Sequence, residues 1–222
     1  MGSNFKVSFA VRLMLLAGVV GGAVAAYAGS SVNVELTGAG GAEHGLGSNY
    51  AYGEYLMPYY LTINQSSPVA VVCDDFFHNV SVGDKWSATV STFADLSGTR
   101  FGTSAATQYH EAVWLASQIN ASSSLTDIAG VQFAIWKLLS PGTPDVGTED
   151  FWIAKAQLAA TQNYGGMSFA NWEILTPNSV LTPQEYLVMI PEPGVMLDLS
   201  VGLAAFVGAW SIRGRVLVGL RP

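Results

Sequence analysis

The sequence contains a single cysteine, Cys73, and few basic residues: nine Lys and Arg in 222 positions. One cysteine excludes an internal disulfide framework, although exported proteins normally use cysteines in pairs. Between residues 29 and 190, fourteen acidic side chains accompany four basic ones, so the net charge of this segment is −10. A surface this acidic repels nucleic acid and anionic lipid. The sequence also has no phosphate-binding glycine loop and no clustered zinc ligands, so we expect no nucleic-acid partner, no metal and no cofactor.

Long hydrophobic runs occur at the two ends of the chain. The first run, residues 13–25, follows Lys6 and Arg12 and precedes the small-x-small triplet AYA at residues 26–28. A basic start, a short apolar run and an A-x-A ending are typical of a secretory signal peptide. We therefore predict that residues 1–28 are a signal peptide and that the protein is exported. A retained membrane helix or a core helix is the alternative interpretation.

The second hydrophobic run, residues 195–212, follows Pro191, Glu192 and Pro193 and precedes Arg213 and Arg215. Eighteen helical residues would span about 27 Å, which is enough to cross a bilayer core. The two arginines would remain in the cytoplasm by the positive-inside rule. This pattern predicts a C-terminal transmembrane helix, with the body of the protein outside the inner membrane. The alternative is a hydrophobic strand or helix of the core.

The order of signal peptide, Pro-Glu-Pro motif, apolar run and basic end resembles that of PEP-CTERM proteins. In that family the tail is a sorting signal processed by an exosortase in Gram-negative bacteria. The resemblance covers about the last thirty residues, with Asp198 inside the apolar run as one departure. It implies that residues 191–222 form a sorting and anchor segment. It also implies an exosortase partner and a location in the cell envelope, at the cell surface or in the extracellular matrix.

The body, residues 29–190, shows two kinds of hydrophobic periodicity. β-Branched and aromatic segments between turn residues predict strands at 32–37, 57–64, 68–74, 86–93, 171–177 and 185–191. Between the fourth and fifth of these, helical spacing predicts helices at 104–120 and 125–139 and at about 149–163. Ser124 and Asp127 occupy capping-box-like positions for the second helix. Because strands and helices do not alternate regularly, we predict an α+β body: an antiparallel sheet or sandwich with two to three inserted helices.

The second predicted helix places Gln132 in an apolar row with Ile128, Ile135 and Leu139. A buried carboxamide without partners costs about 1 to 3 kcal/mol. We therefore expect that Gln132 is hydrogen-bonded to a neighbouring strand, faces solvent at the edge of the row, or takes part in a reaction.

The strand end VVCDDF and the helix segment GVQFAIW together resemble the thioester domains of bacterial surface adhesins. In those domains a cysteine in a CxD strand context and a glutamine in a TQxAIW helix condense into an internal thioester. The resemblance spans about sixty residues and implies that Cys73 is the thioester cysteine and Gln132 the acyl donor. Such a bond is opened once by an amine on a partner surface. It would make this chain a covalent fastener in adhesion or matrix attachment, not a turnover enzyme.

Other uses of these residues stay open from the sequence. Cys73 could be a small buried hydrophobe, a partner in an intermolecular disulfide, or the nucleophile of a hydrolytic triad with His110. Asp74, Asp75 and His78 could bind a divalent cation with His110, but their spacing fits no known ligand frame. The alternative function is that of a non-catalytic structural component of the exopolysaccharide matrix, sorted by the same tail.

Overall fold

The predicted strands of the body close into an antiparallel barrel. The computed structural model describes residues 29–179 and 183–190. The predicted signal peptide, the Pro191-Glu192-Pro193 motif, the apolar run 195–212, Arg213 and Arg215 lie outside the described residues. Within the described ranges, no helix has both the length and the apolar character needed to span a bilayer.

The barrel has six strands, each antiparallel to its neighbours. They are β1 (Ser31–Gly38), β4 (Tyr59–Ile63), β5 (Val69–Cys73), β6 (Lys85–Thr92), β7 (Trp172–Pro177) and β8 (Tyr186–Met189). Their order around the barrel is β1, β4, β5, β8, β7 and β6, and β6 pairs again with β1. A separate short hairpin of β2 (Tyr50–Ala51) and β3 (Glu54–Tyr55) occupies a segment that the sequence predicts as loop.

Alternating burial explains why these segments form strands with one inward face. In β1, Val32, Val34 and Leu36 are buried, whereas the residues between them are exposed or half-buried. The predicted antiparallel α+β architecture is confirmed, but the closed barrel differs from the predicted alternative of a sandwich. Val34 pairs with Ile63 of β4 on one side and with Trp86 of β6 on the other. This double pairing closes the sheet, and alternation along single strands does not reveal it.

Three helices are inserted between β6 and β7, as predicted. They are α1 (Ala106–Ser117), α2 (Leu125–Leu139) and α3 (Glu149–Thr161). The predicted start of the first helix is instead a short 3₁₀ turn, Thr103–Ala105. Ser124 caps α2 by accepting a hydrogen bond from the Asp127 amide, which confirms the capping prediction. The side chain of Thr148 makes no such bond at the start of α3.

The second helix is the central helix of the insertion. Every residue of α2 from position 128 to position 136 is buried, including Gln132. Its Gly130 faces α3 closely, because a Cβ atom there would lie 2.7 Å from Cδ1 of Trp152. The α2 helix is therefore surrounded by protein, and its buried polar side chains need partners within the fold.

Candidate functional site

Cys73 is the last residue of β5, and its side chain is fully buried. It pairs with Tyr186 of β8, so the two side chains lie next to each other on one face of the barrel wall. The Cys73 thiol donates a hydrogen bond of 3.3 Å to the carbonyl oxygen of Asp75. The structure therefore holds a thiol in a water-free position at the end of a strand.

Gln132, fully buried on α2, reaches the main chain of Cys73. Its Nε2 donates a 2.7 Å hydrogen bond to the carbonyl oxygen of Cys73, and its Oε1 accepts a 3.2 Å hydrogen bond from the Met57 amide. Of the alternatives that the sequence allows, solvent exposure is excluded and hydrogen bonding at a strand end is observed. The structure thus brings together the two residues predicted as thioester partners.

The surroundings of Cys73 disfavour a thiolate. Burial raises the pKa of the Cys73 thiol well above its usual value, and the nearby charge of Asp74 raises this pKa further. Interactions with the backbone of Asp75 and with the side chain of Trp136 act in the opposite direction and lower the pKa. Trp136 lies one helical turn after Gln132, and its ring contacts Phe76 with centroids 5.2 Å apart. Trp136 therefore joins the surroundings of the thiol to an aromatic cluster that includes Phe76.

The carboxylate of Asp75 is the centre of a charged cluster beside the thiol. The Nε of Arg100 lies 3.0 Å from one of its oxygens, and Nδ1 of His78 lies 2.9 Å from the same oxygen. The second ring nitrogen of His78 lies 2.8 Å from Nη1 of Arg100. Because a guanidinium only donates, Nε2 of His78 accepts there and Nδ1 carries the proton that is donated to Asp75.

Asp74 and Glu185 extend this cluster into the core. The Asp74 carboxyl is fully buried and has no hydrogen-bond partner among the described residues. Burial raises its pKa well above the usual range, and the charges of Glu185 and Asp75 raise it further. Glu185 accepts hydrogen bonds from the hydroxyls of Tyr109 and Thr176 and from the Arg100 amide. Burial raises the pKa of Glu185 even so.

Sequence reasoning missed Arg100, Glu185 and Met57. Arg100 is one of four basic residues in an acidic body, and that scarcity was the only signal that it has a specific partner. Glu185 is the first residue of the predicted strand 185–191 and was counted only as part of that strand. Met57 contributes through its backbone amide, which no residue pattern reveals.

His110 belongs to a different part of the molecule. Its Nδ1 lies 2.7 Å from the carbonyl oxygen of Ala106, and its ring packs against Phe93, Phe169 and Tyr164. None of these contacts involves Cys73, so the arrangement does not assemble a Cys73–His110 triad. In residues 29–179 and 183–190, no three His, Cys, Asp or Glu side chains form a group that could hold a metal ion.

Comparison with protein-family models, with curated proteins and with solved structures found no match to this chain.

Proposed function

We propose that Cys73 and Gln132 condense into an internal thioester, with which the exported protein attaches covalently to amines at a cell surface or in an extracellular matrix. The observation that carries the proposal is the 2.7 Å contact between the Gln132 carboxamide and the main chain of Cys73, with both side chains fully buried. Burial holds the reacting groups together and replaces a bimolecular encounter with an intramolecular one.

The condensation needs a thiol, a carboxamide and a hydrogen-bond donor to the carboxamide oxygen, which Cys73, Gln132 and the Met57 amide supply. The Cys73 sulfur attacks Cδ of Gln132, the C–N bond breaks, and the carboxamide nitrogen leaves as ammonia with the thiol proton. The Met57 amide, which hydrogen-bonds to Oε1 of Gln132, stabilises negative charge on that oxygen during the attack. Burial disfavours the thiolate, so the sulfur enters the reaction as a neutral thiol whose proton leaves with the ammonia. Exclusion of water also protects the thioester from hydrolysis.

The proposed location rests on the ends of the chain. A signal peptide at residues 1–28 would export the body, and residues 191–222 would anchor it in the inner membrane until an exosortase-type enzyme acts on the tail. The final location is the cell envelope, the cell surface or the extracellular matrix. Deletion of residues 191–222 tests this step, because the body should then leave the membrane fraction. Retention of the shortened chain in membranes would contradict the proposed anchor.

Intact-protein mass tests the thioester. We expect the mature protein to be lighter by one ammonia than its sequence requires. After methylamine treatment it should be one methylene heavier than the unreacted sequence, with a thiol that alkylates. Cys73→Ser and Gln132→Glu should each abolish the ammonia loss. The matched control Gln118→Glu changes an exposed glutamine directly after α1 and should leave the loss intact.

The full sequence mass together with a Cys73 that alkylates in the unfolded protein would contradict the thioester. That result would favour the alternative function, a structural component of the exopolysaccharide matrix without covalent chemistry. In that case the two hydrogen bonds of Gln132 would serve only to join α2 to the end of β5 and to Met57.

A further inference from the structure

A cleft of about 420 Å³ opens on the surface, and its lining includes neither Cys73 nor Gln132. It lies between the β2–β3 hairpin and the segment 79–82, and its lining includes Leu36, Glu54, Tyr55, Tyr59, Val82 and Gln184. Among the described residues that line it, Glu54 is the only charged one. We call this feature the Glu54 cleft. Most of its other walls are aliphatic side chains and tyrosine rings.

The Glu54 carboxylate has no basic side chain as a partner among the described residues. It forms no hydrogen bond or ion pair with any side chain in the part of the chain that the structure describes. Partial burial raises the pKa of Glu54, with no opposing contribution from a positive neighbour. A half-buried carboxylate without a partner gains most from a positively charged ligand.

Two residues connect the Glu54 cleft with the thiol. Tyr59 lines the cleft, and its ring packs against that of Tyr186, the strand partner of Cys73, with centroids 5.7 Å apart. Gln184 lines the cleft and also donates a 3.3 Å hydrogen bond to the carbonyl oxygen of Asp75, the acceptor of the Cys73 thiol. On each route one further residue, Tyr186 or Asp75, lies between the cleft lining and Cys73.

We propose that the Glu54 cleft admits the lysine side chain that opens the Cys73–Gln132 thioester. This inference rests on the proposed function and names the substrate and its route. The four-carbon stem of lysine matches the aliphatic and aromatic walls, and the ammonium matches Glu54. Tyr55 and Tyr59 add ring faces that attract a cation.

Opening of the thioester requires only the lysine amine, Glu54 and the Cys73–Gln132 bond. Glu54 accepts one proton from the lysine ammonium and leaves a neutral amine. The amine nitrogen attacks the acyl carbon of Gln132, the C–S bond breaks, and an amide bond to the partner forms. A second proton from the nitrogen passes to the sulfur and regenerates the Cys73 thiol.

Aminolysis rates test the cleft, measured on intact protein by mass spectrometry. The probes are Nα-acetyl-lysine methylamide, which is cationic near neutral pH, and hydroxylamine, which is neutral there. Glu54→Gln should slow the reaction with the lysine derivative about tenfold or more and leave that with hydroxylamine nearly unchanged. The matched control Glu43→Gln alters an exposed carboxylate outside the cleft and should change neither rate.

The outcomes separate the two proposals. If the ammonia loss occurs but Glu54→Gln leaves the lysine rate unchanged, or slows both probes equally, the cleft assignment is overturned and the thioester stands. If no ammonia is lost, lysine binding in the Glu54 cleft is tested separately, by NMR titration of the free-thiol protein with the lysine derivative. Saturable shifts in cleft residues that disappear in Glu54→Gln would support lysine binding there, and their absence would overturn it.

Discussion

Gln132 donates a hydrogen bond to the carbonyl oxygen of Cys73 across a sequence separation of 59 residues, and both side chains are fully buried. This contact joins the end of β5 to the middle of α2. It satisfies a buried carboxamide and brings that carboxamide to the main chain of the only cysteine in the sequence.

Opening the thioester should destabilise the fold. A covalent link between positions 59 residues apart restricts the unfolded chain, and closure of a loop this long contributes about 4 kcal/mol. We expect methylamine-treated protein to have a lower free energy of unfolding by up to about this amount, measured by urea denaturation. Cys73→Ser treated in the same way should show no change, and an unchanged wild-type value would argue against a cross-link.

Asp74 should make the protein less stable as pH rises. Its pKa is raised in the folded state, so the folded protein keeps the carboxyl proton at pH values where the unfolded chain, with a pKa of about 3.9, has lost it. The contribution of Asp74 to the free energy of unfolding is therefore greatest at acidic pH. As pH rises toward the folded-state pKa, this contribution falls by up to about 1.4 kcal/mol per pH unit. Asp74→Asn should remove this pH dependence, which corresponds to a difference of about one bound proton. The variant should also be more stable than the wild type near neutral pH.

Asp95 should affect the pH dependence of stability in the opposite direction to Asp74, and the same unfolding curves measure both effects. Hydrogen bonds from Ser97 lower the pKa of this exposed carboxylate, so its contribution to stability is present above the unfolded pKa and is lost at acidic pH. Asp95→Asn should therefore slightly destabilise the protein at neutral pH. If both variants shift stability in the same direction, the assignment for Asp74 is wrong.

Gly130→Ala should destabilise the contact between α2 and α3. The added Cβ would lie 2.7 Å from Cδ1 of Trp152 and 2.8 Å from Oγ1 of Thr148, inside van der Waals contact. Overpacking of this kind costs about 1 to 3 kcal/mol, which exceeds the gain of about 1 kcal/mol from the helix propensity of alanine. Thermal or urea unfolding measures the balance, and a net stabilisation would show that the helices separate easily.

Ser124→Ala should remove the N-cap of α2. The Ser124 hydroxyl accepts a 3.1 Å hydrogen bond from the Asp127 amide and donates one of 2.6 Å to the Asp127 carboxylate. Loss of such a cap typically costs about 1 kcal/mol. Ser124→Asp keeps an acceptor at this position and should retain most of the stability in urea denaturation. Equal losses in both variants would mean that the cap contributes little.

Local patterns predicted the secondary structure of the body well. The six barrel strands and the three helices all lie where alternation and helical spacing place them, within a few residues. The β2–β3 hairpin was missed because its strands are two residues long, too short for alternation to appear. The barrel was missed because strand closure depends on pairing between β1 and β6, which are distant in sequence.

The residues of the candidate site also differ in whether the sequence could identify them. Cys73 and Gln132 could be identified because each lies in a short motif within one element. Met57, Arg100 and Glu185 could not, because a backbone amide and two charged side chains become part of the site only when separate segments meet. The Glu54 cleft is built from segments that are distant in sequence and has no sequence motif of its own.

The sequence by itself determined which segments become strands and helices, the acidic character of the body and the two residues of the proposed thioester. These properties follow from residue type and from spacing along a single element. Only the tertiary structure decided that the sheet closes, that Gln132 meets the end of β5, and that Glu54 faces a cleft whose described lining holds no basic side chain. The physical reason is that barrel closure, burial and charge pairing depend on distances between segments, which packing of the whole chain determines.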